Sequence, residues 1–151
     1  MATYRFSVDI AAPREQVFAR WIDLDRMPDW VGGMKDVIDL SGPVDQIGTT
    51  WTTRFGNWAT SPTTVIAAER PSHFATRFGN TYLRGDNEAW FEEHSDTTKL
   101  TQEFRVHGLL PRIMARIFAT GSYKGSFQGE LNHFKEICER EAASSAKIET
   151  S

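Results

Sequence analysis

His73, His94, His107 and His133 are the side chains best suited to metal or proton chemistry near neutral pH, and their spacing makes no metal site. The chain has no CxxC and no HExxH, so neither a zinc knuckle nor a helix-borne ligand pair is encoded. A GxSxG elbow, a phosphate loop and a dinucleotide fingerprint are also missing from the sequence. No metal and no cofactor are therefore expected. Cys138 falls on an apolar stripe, which suits inert packing better than nucleophilic attack. What remains is acid–base work, which needs only one positioned group. Gln102, Tyr82, Tyr123, Glu88 and Glu92 are the candidates.

Two of these positions carry a physical argument. Gln102 sits on an otherwise apolar strand face, so its amide must find a partner in a ligand, a water or a neighbouring side chain. Residues 87–94 offer two faces, Glu88–Trp90–Glu92–His94 or Ala89–Phe91–Glu93. With Trp90 inward, Glu88 and Glu92 become buried carboxylates of raised pKa. With Trp90 outward, they form an acidic strip in solvent. Both registers are open.

The elements that must hold these groups can be traced by periodicity. Residues 3–10 alternate Tyr4, Phe6, Val8 and Ile10 against Arg5, Ser7 and Asp9, which predicts a half-buried strand. Pro13 then opens a helix with Val17, Phe18, Trp21 and Ile22 at helical spacing, and a second short helix is expected over 23–30, closed by Gly32-Gly33. From there to His107 short alternating runs and turn signals predict an antiparallel meander of six strands, with a bulge or edge at Pro62. Residues 111–142 change to helical spacing, with Phe127, Leu131, Phe134 and Cys138 on one stripe and Glu130 off it. One domain over 1–142 and a flexible polar tail over 143–151 are expected. A seven-stranded sheet with a single long helix to cover it must curl around that helix. The fold class is thus α+β: a curved antiparallel sheet wrapped around a long C-terminal helix, with two short helices between the first and second strands.

Composition limits the function. A formal charge of -3 and the lack of a basic run argue against nucleic-acid binding. No run of eighteen apolar residues occurs, so no integral membrane segment is expected. The single cysteine fits a reducing, cytoplasmic setting. Ten Phe, five Trp and three Tyr are more flat surface than a small core needs and suit a ring-lined pocket.

Four segments carry a family resemblance: FSVDIAAPREQVFARWIDLDRMPDWVGGMKDV (6–37), QIGTTWTTRF (46–55), DTTKLTQEFRV (96–106) and GELNHFKEICERE (129–141). In this order they resemble the START-like, or helix-grip, superfamily of polyketide cyclases, lipid-transfer domains and Bet v 1-like pollen allergens. The resemblance implies an internal cavity for a small hydrophobic molecule such as a lipid, an isoprenoid or a polyketide. It also admits, as alternatives, a cyclase- or dehydratase-type enzyme and a protein-interaction module.

The inward set expected from the strands is Trp51, Thr53, Phe55, Phe74, Thr76, Phe78, Leu100, Gln102, Phe104 and Val106. Gly121, Gly125 and Gly129 recur every four residues on the last helix, for close approach to the sheet or for ligand space. Ile113, Met114, Ile117 and Phe118 make a second apolar face, rotated from the first, which predicts a bend near Gly121. Trp30, Val31 and Met34 flank the Gly-Gly pair as a lid or a plug. The ligand-lining residues expected are Trp30, Met34, Phe55, Phe78, Trp90, Gln102, Phe104, Met114, Phe118, Gly121 and Gly125.

Overall fold

The structure is a computed structural model and describes residues 2–57, 59–79, 84–107 and 122–150. Strand β1 (Ala2–Ile10) leads into helix α1 (Arg14–Trp21) and a 3-10 helix (Leu24–Asp29). The strands β2 (Met34–Ile38), β3 (Thr50–Phe55), β4 (Ala59–Glu69), β5 (His73–Gly79), β6 (Arg84–His94) and β7 (Thr97–His107) follow, and helix α2 (Ser122–Thr150) closes the described chain.

The sheet is antiparallel throughout, in the order β1-β7-β6-β5-β4-β3-β2. It is a meander whose last strand returns to pair with the first. This is the α+β helix-grip arrangement that the element count requires.

Local chemistry sets the elements. In β1, Phe6 and Ile10 are buried while Arg5, Ser7 and Asp9 are exposed, so the alternation points one face at the core. Pro13 lies immediately before α1 with an extended backbone (φ -62°, ψ 143°), and its carbonyl accepts the Val17 N–H. The β6–β7 hairpin turns through Ser95, which takes the left-handed conformation at φ 56°. The bulge in β4 falls between Val65 and Ala67, and Pro62 pairs regularly with Thr52. The bulge thus interrupts the β4–β5 ladder, whose register resumes at Ala67 opposite Ala75.

One end of the molecule is solid. Leu131, Phe134, Ile137 and Cys138 of α2 are buried together with Val17, Phe18 and Trp21 of α1. Phe18 meets Phe91 and Phe74 edge-on at 5.1 and 6.1 Å. Each fully buried ring of this kind contributes about 1.5–3 kcal/mol. Polar ties fix the helix to β1 and to the 3-10 helix: Lys135 Nζ donates to the Asp9 carbonyl (2.7 Å), the Ala11 N–H donates to Glu139 (2.8 Å), and Arg26 pairs with Glu141 (2.6 Å).

Helix α2 continues to Thr150, past Ala142 where a polar tail is expected to begin. Residues 143–150 contain Ala, Lys and Glu, which favour helix, and no Gly or Pro to end it. Ala143 to Ala146 are exposed. The proposed start of this helix at Pro111, the bend near Gly121 and the rotated face of Ile113, Met114, Ile117 and Phe118 lie outside the described residues.

Candidate functional site

Beyond the solid end, the concave side of the sheet bounds a cavity of about 390 Å³. Pockets that hold drug-sized molecules span about 300–1,000 Å³. Every other residue of the central strands faces it: Trp51, Thr53 and Phe55 of β3, Ala59, Ser61 and Thr63 of β4, Phe74, Thr76 and Phe78 of β5, Asn87 of β6, and Gln102 and Phe104 of β7. Trp21, Met27, Trp30, Val31, Gly32 and Met34 close it from the α1–β2 segment, and Phe127 and Glu130 from α2. The walls are aromatic and interlocked. Phe104 lies 5.0 Å from Phe78 and 5.5 Å from Phe127 between ring centres, and Trp30 lies 4.9 Å from Trp21.

The sheet wall is not wholly apolar. Thr53, Ser61, Thr63, Thr76, Asn87 and Gln102 form a belt over five successive strands. Thr53 lies opposite Ser61 and Thr76 opposite Asn87. Thr63 and Gln102 lie on the diagonals that complete the belt. Gln102 donates to the Asn87 Oδ1 (3.0 Å) and the Trp51 indole donates to Thr53 (3.2 Å). Gln102 is thus satisfied by a neighbouring side chain, the third of the partners its position allows. The Asn87 Nδ2, the Ser61 hydroxyl and the Thr76 hydroxyl have no partner among the described residues and remain available to a ligand.

Glu130 was not singled out by the sequence. Its Oε1 accepts the Gly32 N–H at 2.9 Å, which ties α2 to the loop before β2. A Cβ at Gly32 would stand 2.9 Å from that oxygen, so a side chain there would push the carboxyl aside. Gly33 follows with φ 76°, a conformation that glycine adopts without strain. Burial pushes the Glu130 carboxyl above the ordinary carboxylate range, and the Gly32 N–H opposes the shift only in part. Glu130 is three residues after Phe127 and four before Phe134, at the edge of the stripe they define, a position that solvated glutamates also take.

Of the expected lining residues, Trp30, Met34, Phe55, Phe78, Gln102 and Phe104 meet in this cavity. Met114, Phe118, Gly121 and the candidate Tyr82 lie outside the described residues, as does the side chain of Tyr123; Gly125 lies within α2. Gly129 is exposed, and a Cβ there would meet nothing within 4 Å, so this glycine neither brings the backbone onto the sheet nor opens space for a ligand.

Trp90 requires a correction. Pairing of Phe74 with Ala89 turns Ala89 and Phe91 inward and Trp90 outward. On that convex face Trp90 stacks on His73 (5.7 Å, 16°), with the Arg5 guanidinium 5.8 Å from its ring centre. Glu88 goes with it, paired to Arg105 at 2.7 Å and to His73, and Glu92 is solvent-exposed. The strip is not simply acidic, because Arg5, Arg77 and Arg105 interleave with its carboxylates. Hydrogen bonds from Arg5 and Arg105 hold the Glu103 carboxyl below its ordinary range, despite partial burial. Burial likewise pushes the Cys138 thiol up to about 12, which leaves it unreactive at neutral pH.

A second cleft is lined by Arg20, Arg26, Asp29, His133, Ile137, Arg140 and Glu141. It is polar, and its charges answer one another: Arg20 pairs with Asp29 (3.0 Å) and lies 3.3 Å from Glu141. Among the described residues no group of three or more metal-ligating side chains occurs, and no helix is long and apolar enough to cross a membrane.

A family model described as polyketide cyclase / dehydrase and lipid transport matches residues 1–139. The chain belongs to that family. Solved structures agree in fold. MLL2253 from Mesorhizobium loti superposes with a TM-score of 0.73 at 13% identity, over 92% of this chain and 98% of that one. A START superfamily protein from Mycobacterium smegmatis gives 0.67 at 16%, over 94% and 97%. The di-domain ARO/CYC StfQ of the steffimycin biosynthetic pathway gives 0.69 at 10%, covering 93% of this chain and 51% of its own. At these identities the likeness is one of fold. No curated protein sequence matches the chain.

Proposed function

We propose that this family member binds a small hydrophobic molecule, a lipid, isoprenoid or polyketide-like compound, inside the cavity. The observation that carries the reading is the cavity of about 390 Å³, walled by Trp30, Trp51, Phe78, Phe104 and Phe127 beside a cluster of fully buried side chains. Apolar walls supply affinity and the belt from Thr53 to Gln102 supplies orientation, the division of labour usual in ligand pockets. The family description, which names both polyketide cyclases and lipid transport, supports the same reading. The single cysteine, buried and unpaired, fits action in the cytoplasm.

The test is native mass spectrometry of freshly purified protein, compared with the same sample after denaturing extraction. A retained apolar molecule is expected in the wild type and not in Thr76→Phe, which fills the cavity from the sheet side. An empty wild type, with unchanged tryptophan fluorescence across a panel of lipids and polyketides, overturns the reading. A second reading, an enzyme of the cyclase or dehydratase type, is favoured by one observation: Glu130 is a carboxyl of raised pKa inside the cavity. It predicts turnover of a bound polyketide that Glu130→Gln abolishes.

A further inference from the structure

Glu130 is the only residue with a formal charge among the described lining of the cavity. Its Oε1 is held by the Gly32 N–H, while its Oε2 has no protein partner among the described residues. A partly buried carboxylate with one hydrogen bond is poorly compensated, and a neutral apolar guest would deepen its desolvation. An anionic guest would add repulsion at close range. A cationic guest repairs both.

The surroundings favour the same choice. The faces of aromatic rings are negative, and a cation held against them gains attraction beyond apolar contact. Trp30, Trp51, Phe104 and Phe127 line the same volume as the carboxylate. Helical spacing sets Phe127 beside Glu130, and the Trp30–Gly32 segment brings the indole to the same end of the cavity.

Resting on the binding reading, we infer that the cavity selects ligands whose polar end is a protonated amine, held between the Glu130 carboxylate and the aromatic walls, and that it disfavours carboxylate and phosphate amphiphiles. The belt of Thr76, Asn87 and Gln102 then reads neutral oxygens elsewhere on the ligand, and Glu130 reads its charge.

The experiment compares decylamine, decanol and decanoate on the full chain by quenching of tryptophan fluorescence, with isothermal titration as a second readout, below the aggregation limit of each probe. A charge-assisted contact in a partly dry site corresponds to roughly a tenfold or greater preference. Wild type is expected to bind decylamine about tenfold more tightly than decanol, with decanoate weakest. Glu130→Gln keeps an acceptor for the Gly32 N–H and removes the charge, and it should bring the amine-to-alcohol ratio to about one. Equal affinity of wild type for amine and alcohol overturns the inference while leaving the binding reading intact. A preference for the amine that survives in Glu130→Gln also overturns it. Should none of the three probes bind, the inference falls, and native mass spectrometry with the lipid and polyketide panel decides the binding reading.

Discussion

Phe134 is the residue through which packing controls the cavity. It is fully buried on α2, with the rings of Trp21 and Trp30 at 5.3 and 4.8 Å, and both tryptophans line the cavity. Phe134→Ala removes the wedge that holds the pair. Truncation of a buried phenylalanine costs about 3–5 kcal/mol, and the two ring contacts account for about 0.5–1.5 kcal/mol each within that sum. Domains of this kind have about 5–15 kcal/mol in total, so the variant is expected to fold with a thin margin. At about 2–4 °C per kcal/mol for a chain of this size, its melting temperature should fall by roughly 6–20 °C. Urea titration followed by far-ultraviolet circular dichroism gives the free energy, and an unchanged slope shows that the loss belongs to the native state. Tryptophan emission of the native variant should also shift, because Trp21 and Trp30 relax toward the space left behind. A loss below about 1 kcal/mol would refute the view that this ring organises the cavity's closed end. So would a large loss with native tryptophan emission unchanged, since stability and cavity geometry would then be uncoupled at this position.

Gly129→Ala should stabilise the protein by about 1 kcal/mol, read as a rise in melting temperature, because the residue is exposed within a helix and its Cβ meets nothing. Gly85→Ala should destabilise by roughly 3 kcal/mol, since its Cβ would stand 2.1 Å from the Arg105 carbonyl oxygen of the neighbouring strand; a wild-type melting curve would contradict the β6–β7 register. Cys138 should resist thiol reagents at pH 8 until the protein unfolds, with labelling tracking the unfolding transition; rapid labelling of the native state would contradict its burial. Burial raises the Glu130 carboxyl above its ordinary value of 4.5, so its contribution to stability is most favourable when protonated and is lost as pH rises through the folded value. Glu130→Gln should therefore gain stability relative to wild type as pH is raised above about 4.5, and an opposite slope in paired urea titrations would reverse the assigned sign.

The architecture was legible because strands with one wet face announce themselves. The alternation of β1, and of Phe74, Thr76 and Phe78, survives unchanged in the structure, where both sets face inward. β6 was different. Its two faces carry Trp90 on one side and Ala89 with Phe91 on the other, so apolar mass does not choose between them. The choice is made by pairing with β5, a non-local contact that no window of β6 contains. Glu130 was hidden for another reason. A glutamate on a helix edge reads as solvated, and only the approach of Gly32, about a hundred residues away in sequence, turns it into part of the lining. The glycine repeat misled at Gly129 because spacing places residues on one side of a helix but does not say what that side faces.

The cavity follows from what the concave face is made of. Toward α1, the sheet and α2 contribute Phe91, Leu100, Leu131 and Phe134, whose bulk meets across the interior and closes it. Toward β2 the same sheet face carries Thr53, Ser61, Thr63 and Thr76, side chains too short to reach α2. Replacing these with leucines would fill the space and raise the apolar area buried, so by the physics of stability alone their presence is a loss. They are also buried hydrogen-bonding groups, which a close-packed core would avoid unless each found a partner. On the proposed reading both properties have one cause: the wall accommodates a guest that carries polar atoms along one edge. On that reading, stability is supplied at one end and recognition at the other. Substitutions at Phe134 and at Thr76 should accordingly report on different quantities, folding free energy for the first and ligand retention for the second.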